Sequence, residues 1–199
     1  MIPHIEFRYS WIYDQNMREW SKSMKFGQEK YPNQQKVMEY IPKVERLWRK
    51  KEKTILKELS KISKLSWKEK KIICYIVGRS LPFSDPLTLP IYQKHINRSI
   101  DVLVHELIHQ LFTQEGNTEK SEKSWNYIWR KYKKYSIRTK VHVPLHAIHE
   151  HIYKKFFDER RLKIEIWITK NYPDYKNAWD IVQKEGYKNI LQEWRSRIK

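Results

Sequence analysis

A chain of 199 residues with 40% hydrophobic and 14% aromatic content has the apolar mass for a packed core, which excludes wholesale disorder. Forty-one Lys and Arg against twenty-three Asp and Glu leave a net charge of +18, which suits nucleic acid, an anionic membrane or an acidic partner. The lysines run along the whole chain rather than in one arm, so a Lys-rich solvated surface is the plainer explanation. The lone cysteine, Cys74, excludes an internal disulfide and fits a reducing compartment.

The first residues lack the basic-then-apolar order of a secretory signal, and no apolar run nears the roughly 20 residues that span a bilayer. The expectation is a soluble, cytoplasmic protein with no membrane partner and with nucleic acid as a candidate one. Nine Trp and thirteen Tyr against only four Gly point to packed helices with few tight loops.

Ile5, Phe7, Tyr9 and Trp11 alternate with polar residues and predict a half-buried strand over 4–11. From about Gln34 to Lys64 the spacing turns helical, with Val37, Ile41, Val44, Leu47 and Trp48 continued by Ile55, Leu56, Leu59 and Ile62. Pro42 predicts a break or kink near its start. Lys71–Val77 is a short β-branched and aromatic run that reads as a buried strand ending at Gly78. Leu87, Thr88 and Leu89, set among Pro82, Pro86 and Pro90, read as a short edge strand.

A strong helix follows from about Arg98 to Gln114, with Gly116 placed to close it. The next helix is predicted from Thr118 to about Tyr135. Val141, His142 and Val143 read as extended, and Pro144 suits the first turn of a helix running to about Leu162 or on to Ile168. Pro173 breaks the chain. A last helix spans about Tyr175 to Arg197, with Gly186 as its weak point. The whole reads as a single mainly helical α+β domain with a small sheet beside the Arg98–Gln114 helix.

That helix carries His105-Glu106-Leu107-Ile108-His109. Positions i and i+4 share one helix face, so both imidazoles can reach one ion at about 2.0–2.1 Å. Glu106 lies on a neighbouring face, where it can take a proton from a water on that ion without being a ligand. Val102, Leu103, Leu107, Ile108 and Leu111 make the helix apolar nearly all round. Polar groups buried there need satisfaction, and a metal supplies it. Two satisfied core histidines would give the same letters.

A catalytic zinc site usually has three protein ligands and one open position. Downstream, the segment after Pro144 offers His146, His149, Glu150 and His151. Leu145, Ile148, Ile152 and Phe156 form the inward stripe. His149 lies beside it, His146 one step further round, Glu150 beyond, and His151 points away. His149 or His146 is therefore the expected third ligand, with Glu150 behind them. Tyr153, four residues after His149, could aid an oxyanion, although packing explains it as well.

The motif, with Lys71–Val77 and 86–91 before it, resembles the zincin metallopeptidases over residues 71–157. The resemblance implies a small sheet ahead of the active-site helix, an edge strand that aligns an extended substrate and a third ligand from a later helix. The compact core is similar to minigluzincin-type peptidases, whose third ligand is a glutamate, whereas this chain offers histidines. The metzincin extension is absent from 110–117. A distant histidine is also similar to the SprT type, which cleaves proteins attached to DNA, but no cysteine-rich ribbon is present here.

The expected activity is zinc-dependent hydrolysis of a peptide or protein. His105, His109 and His149 or His146 would hold the ion, Glu106 would be the base, and the strand near Leu87–Leu89 would align substrate. The rival reading is a basic nucleic-acid-binding or scaffold protein with a structural metal or histidine site.

Overall fold

The computed structural model describes residues 1–24 and 30–198. They form an α+β fold, mainly helical, with one small mixed sheet. The chain divides into two compact units, residues 1–53 with 69–110, and residues 54–68 with 111–199.

The first unit holds the sheet. β1 (His4–Arg8) and β2 (Lys71–Val77) run parallel, β4 (Leu87–Pro90) runs parallel to β2, and β3 (Phe83–Ser84) is antiparallel to β4, in the order β1-β2-β4-β3. Ile5 faces Ile72, Phe7 faces Cys74, and Ile76 faces Leu89 across the ladders. All six are buried, as period-two alternation requires.

β1 is shorter than its sequence pattern suggests. Ser10 takes an extended backbone and its hydroxyl accepts from the Tyr13 amide, so α1 (Trp11–Ser23) starts where the alternation was expected to continue. Trp11 lies on that helix and is exposed. A local N-cap thus overrides the strand pattern at its end. The Asp14 carboxylate, fully buried, accepts from the Tyr31 hydroxyl at 2.7 Å and the Gly78 amide at 2.8 Å. It ties α1 to the exit of β2. A side chain at Gly78 would collide there, since an added Cβ would lie 2.4 Å from the Tyr31 ring.

α2 (Gln34–Arg49) follows, capped by the Asn33 side chain and carrying Pro42 within it. The predicted single helix to Lys64 is two helices, because the chain turns at Lys50 and Lys51 before α3 (Glu52–Ser63). Arg49 braces that turn, donating to both Glu52 oxygens at 2.7 Å and to the Ile5 carbonyl at 2.8 Å. The strand expected at an edge, β4, is interior: β2 pairs one side of it and β3 the other. Its four residues are all buried. The two-residue hairpin arm β3 takes the edge instead, so the idea of Leu87–Leu89 as a substrate-aligning edge does not hold.

α4 (Asn97–Thr113) lies where the sequence places it. The helices of the second unit are α5 (Asn117–Lys131), α6 (Ile137–Phe156), α7 (Glu159–Thr169), α8 (Pro173–Glu185) and α9 (Tyr187–Arg195). α6 is central, packing on α7, α8 and α9. Gly116, at a φ of 72°, makes the left-handed turn into α5. Gly186, at 83°, divides the expected terminal helix into α8 and α9. Asp158 ends the expected 144–168 helix by capping α7 at the Arg161 amide. Asn117 is buried and bridges Ser66 and the Leu111 carbonyl, while the Trp194 indole donates to the Ser63 carbonyl at 3.0 Å.

Candidate metal centre

α4 is a helix surrounded by core. Val102, Leu103, Val104, Leu107, Ile108, Leu111 and Phe112 are buried, leaving few positions free of apolar contact. His105 and Glu106 are buried among them, and His109 is half-buried. The His105 and His109 rings lie 5.0 Å apart at an interplanar angle of 64°, the one-turn neighbourhood that i,i+4 spacing gives. One turn further on, Gln110 anchors the helix to the hairpin, its amide donating to the Ser84 carbonyl at 2.6 Å.

Glu106 is electrostatically unusual. Burial alone raises its pKa to about 8, so in the metal-free protein its carboxyl keeps its proton at neutral pH. The Cys74 thiol of β2 is fully buried, and its pKa is pushed up by that burial and, secondarily, by the nearby Glu106 carboxyl. Cys74 is therefore an inert core thiol, and it marks the sheet side of Glu106.

α6 begins earlier than its sequence suggests. Ser136 caps it, accepting from the Thr139 amide, so Val141, His142 and Val143, expected to be extended, are helical. Pro144 sits inside the helix rather than in its first turn. The missed turn has a consequence: His142, His146, His149 and Tyr153 fall at i, i+4, i+7 and i+11, one face of one helix. All four are buried.

Their surroundings differ. His142 donates from Nδ1 to the Arg138 carbonyl at 2.7 Å, because a carbonyl oxygen can only accept. That bond fixes the tautomer and leaves the lone pair on Nε2. Burial pushes the His142 pKa down to about 4, with the Arg138 charge adding to the effect. The ring is neutral through the physiological range, as a metal ligand must be. The His146 ring is stacked on Trp179, centroids 4.2 Å apart at 13°, and the His149 ring lies 4.8 Å from that of Tyr153.

Glu150 pairs with Lys154 at 2.8 Å on another flank. His151 points elsewhere, as expected, and pairs with Glu58 at 2.8 Å. Tyr153 has no exposed surface and packs against His149 and Phe157.

Among the described residues, His105, His109 and His142 can each offer one imidazole nitrogen to an ion. His142 is the residue that sequence reasoning passed over. The signal that could have found it was the continued i, i+4, i+7 spacing upstream of Pro144. The donor chemistry fits a borderline divalent ion: imidazole nitrogens suit zinc, copper, iron or nickel better than calcium or magnesium. No protein family, no curated protein and no solved structure matches the chain. Among the described residues no helix is long and apolar enough to cross a membrane.

Proposed function

We propose that the protein is a zinc-dependent hydrolase acting on peptide bonds, with His105, His109 and His142 as ligands and Glu106 as general base. The observation that carries this reading is the His105 and His109 pair, rings 5.0 Å apart one turn from each other on α4, with the buried Glu106 carboxyl between them in sequence. Three protein nitrogens leave a fourth position of a tetrahedral ion for water or substrate. When bound, zinc supplies Lewis acidity, lowering the pKa of a coordinated water to about 7 and polarising a carbonyl.

The chain's own groups do the rest. His105 and His109 are held rigidly by a helix apolar on nearly every side. His142 is oriented by its bond to the Arg138 carbonyl. Glu106 follows His105 directly and is free of the ligand role. A cation nearby offsets the desolvation that raises its pKa, so the carboxylate form becomes available to accept a proton from the attacking water and pass it to the leaving amine. His146 and His149 are assigned a packing and orienting role, against Trp179 and Tyr153.

The test combines metal analysis with cleavage of an unfolded protein substrate. The parent and Glu106→Gln proteins should both hold about one zinc, and only the parent should cleave. Equal cleavage by Glu106→Gln would remove Glu106 from its role. Metal without cleavage of any amide by either protein would leave a structural centre and refute the hydrolase reading.

A further inference from the structure

We infer that the second unit binds single-stranded nucleic acid on the end formed by the α5–α6 and α7–α8 turns. Charge is unevenly divided between the two units. Residues 1–53 and 69–110 carry 17 Lys and Arg against 11 Asp and Glu, for +6, whereas residues 54–68 and 111–199 carry 24 against 12, for +12. Basic residues occur throughout both units, but the excess over acidic ones is larger in the second.

Within the second unit, no acidic residue occurs between Glu122 and Glu150, while Lys123, Arg130, Lys131, Lys133, Lys134, Arg138 and Lys140 all fall there. Lys131 is consumed by Glu185 and Glu193 at 2.7 and 2.6 Å. Lys133, Lys134 and Arg138 are exposed. No salt bridge is formed by them among the described ion pairs.

The α7–α8 turn reaches the same end of the unit. Asp174, at the start of α8, accepts from the Ser136 and Thr139 hydroxyls at the start of α6, at 2.5 and 3.1 Å. This brings the start of α8, with Tyr172 as its N-cap, to the α6 cap, while Lys170 pairs with Asp180 at 3.5 Å. Trp167 lies one turn before Lys170 and is 73% exposed, Tyr172 is 56% exposed, and Ile137 is 73% exposed.

An indole so open leaves its ring face available to a planar partner. Planar side chains spaced among cations suit a strand of unstacked bases and phosphates. A lipid surface is a poorer fit. The open apolar residues stand singly between charges, and α7 turns Leu162 and Ile166 inward while Ile164 and Trp167 face out. That is not the continuous apolar face a bilayer needs. The surface lies one helical turn before His142, and it does not depend on the metal reading.

The test is anisotropy of a labelled 20-mer of thymidine with the full-length protein, as a function of salt. The triple variant Lys133→Ala, Lys134→Ala, Arg138→Ala should weaken binding about 30- to 50-fold at about 0.15 M salt and lower the log–log salt slope by about 2. Trp167→Ala should weaken it about tenfold with the slope unchanged, the mark of lost stacking. Lys36→Ala, Lys43→Ala and Lys50→Ala together remove equal charge from exposed positions of α2 and its C-cap and should change affinity less than threefold. Equal loss in that control, or an unchanged affinity in the first triple variant, would overturn the assignment. So would tighter binding to phosphatidylserine vesicles than to the oligonucleotide.

Discussion

Replacing Glu106 by Gln keeps shape and removes ionisation, so it isolates what the buried carboxyl costs. In the metal-free folded protein the group titrates at about 8 because burial desolvates it, against an ordinary value of 4.5. The folded state therefore holds a proton that the unfolded chain releases between those two values. Stability from this group is intact below about pH 4.5, falls as pH rises, and levels off above about 8.

Each unit of pH in that window removes about 1.4 kcal/mol. In the presence of chelator, the difference between Glu106→Gln and parent should widen in favour of the variant by about 3 kcal/mol from about pH 5.5 to about pH 8. Urea unfolding of both proteins at the two pH values measures it. With zinc added, the difference should shrink, because a cation nearby stabilises the carboxylate. A difference that is constant with pH in chelator would refute the claim that Glu106 is stored protonated. If Glu106 serves as the proposed base, its burial costs stability at neutral pH, and a bound cation would offset that cost.

Other consequences can be measured independently. His142→Ala should lower zinc affinity about 100-fold or more, and His149→Ala far less, by competition with a chromogenic chelator; the reverse order would return the third ligand to His149. Zinc at about 1,000 times its dissociation constant should stabilise the parent by about 4 kcal/mol, seen as a raised melting temperature that His105→Ala abolishes. Gly78→Ala, whose Cβ would meet the Tyr31 ring at 2.4 Å, should cost about 1–3 kcal/mol in urea unfolding through overpacking. Asp14→Ala should cost more than an ordinary surface change, about 2–4 kcal/mol, since it strips the Gly78 amide and Tyr31 hydroxyl of a buried acceptor.

The parts that were legible in the sequence are those with strong periodicity and no local competitor. Lys71–Val77 is a strand with the bounds its β-branched run suggests, and α4 lies within one residue of its expected ends. The His105 and His109 pair follows from helix geometry alone. What was hidden depended on short-range caps and on sheet order. Ser10 starts α1 inside an alternating pattern, and Ser136 starts α6 ahead of Val141–Val143, whose β-branched residues and following proline both argue against helix.

Propensity is a weak prior, and a packed central helix overrides it. That override put His142 on the same face as His146 and His149. The interior place of β4 could not be read either, because prolines at 86 and 90 mark edges only when the strand order is known. Gly116 and Gly186, by contrast, were rightly read as interruptions, since their left-handed backbone suits glycine best.

Metal analysis of the purified parent beside its His142→Ala variant, both from zinc-replete cells, tests the central claim most directly. About one equivalent of zinc is expected in the parent and well below half in the variant. A parent that carries no metal and takes up none on addition would contradict it.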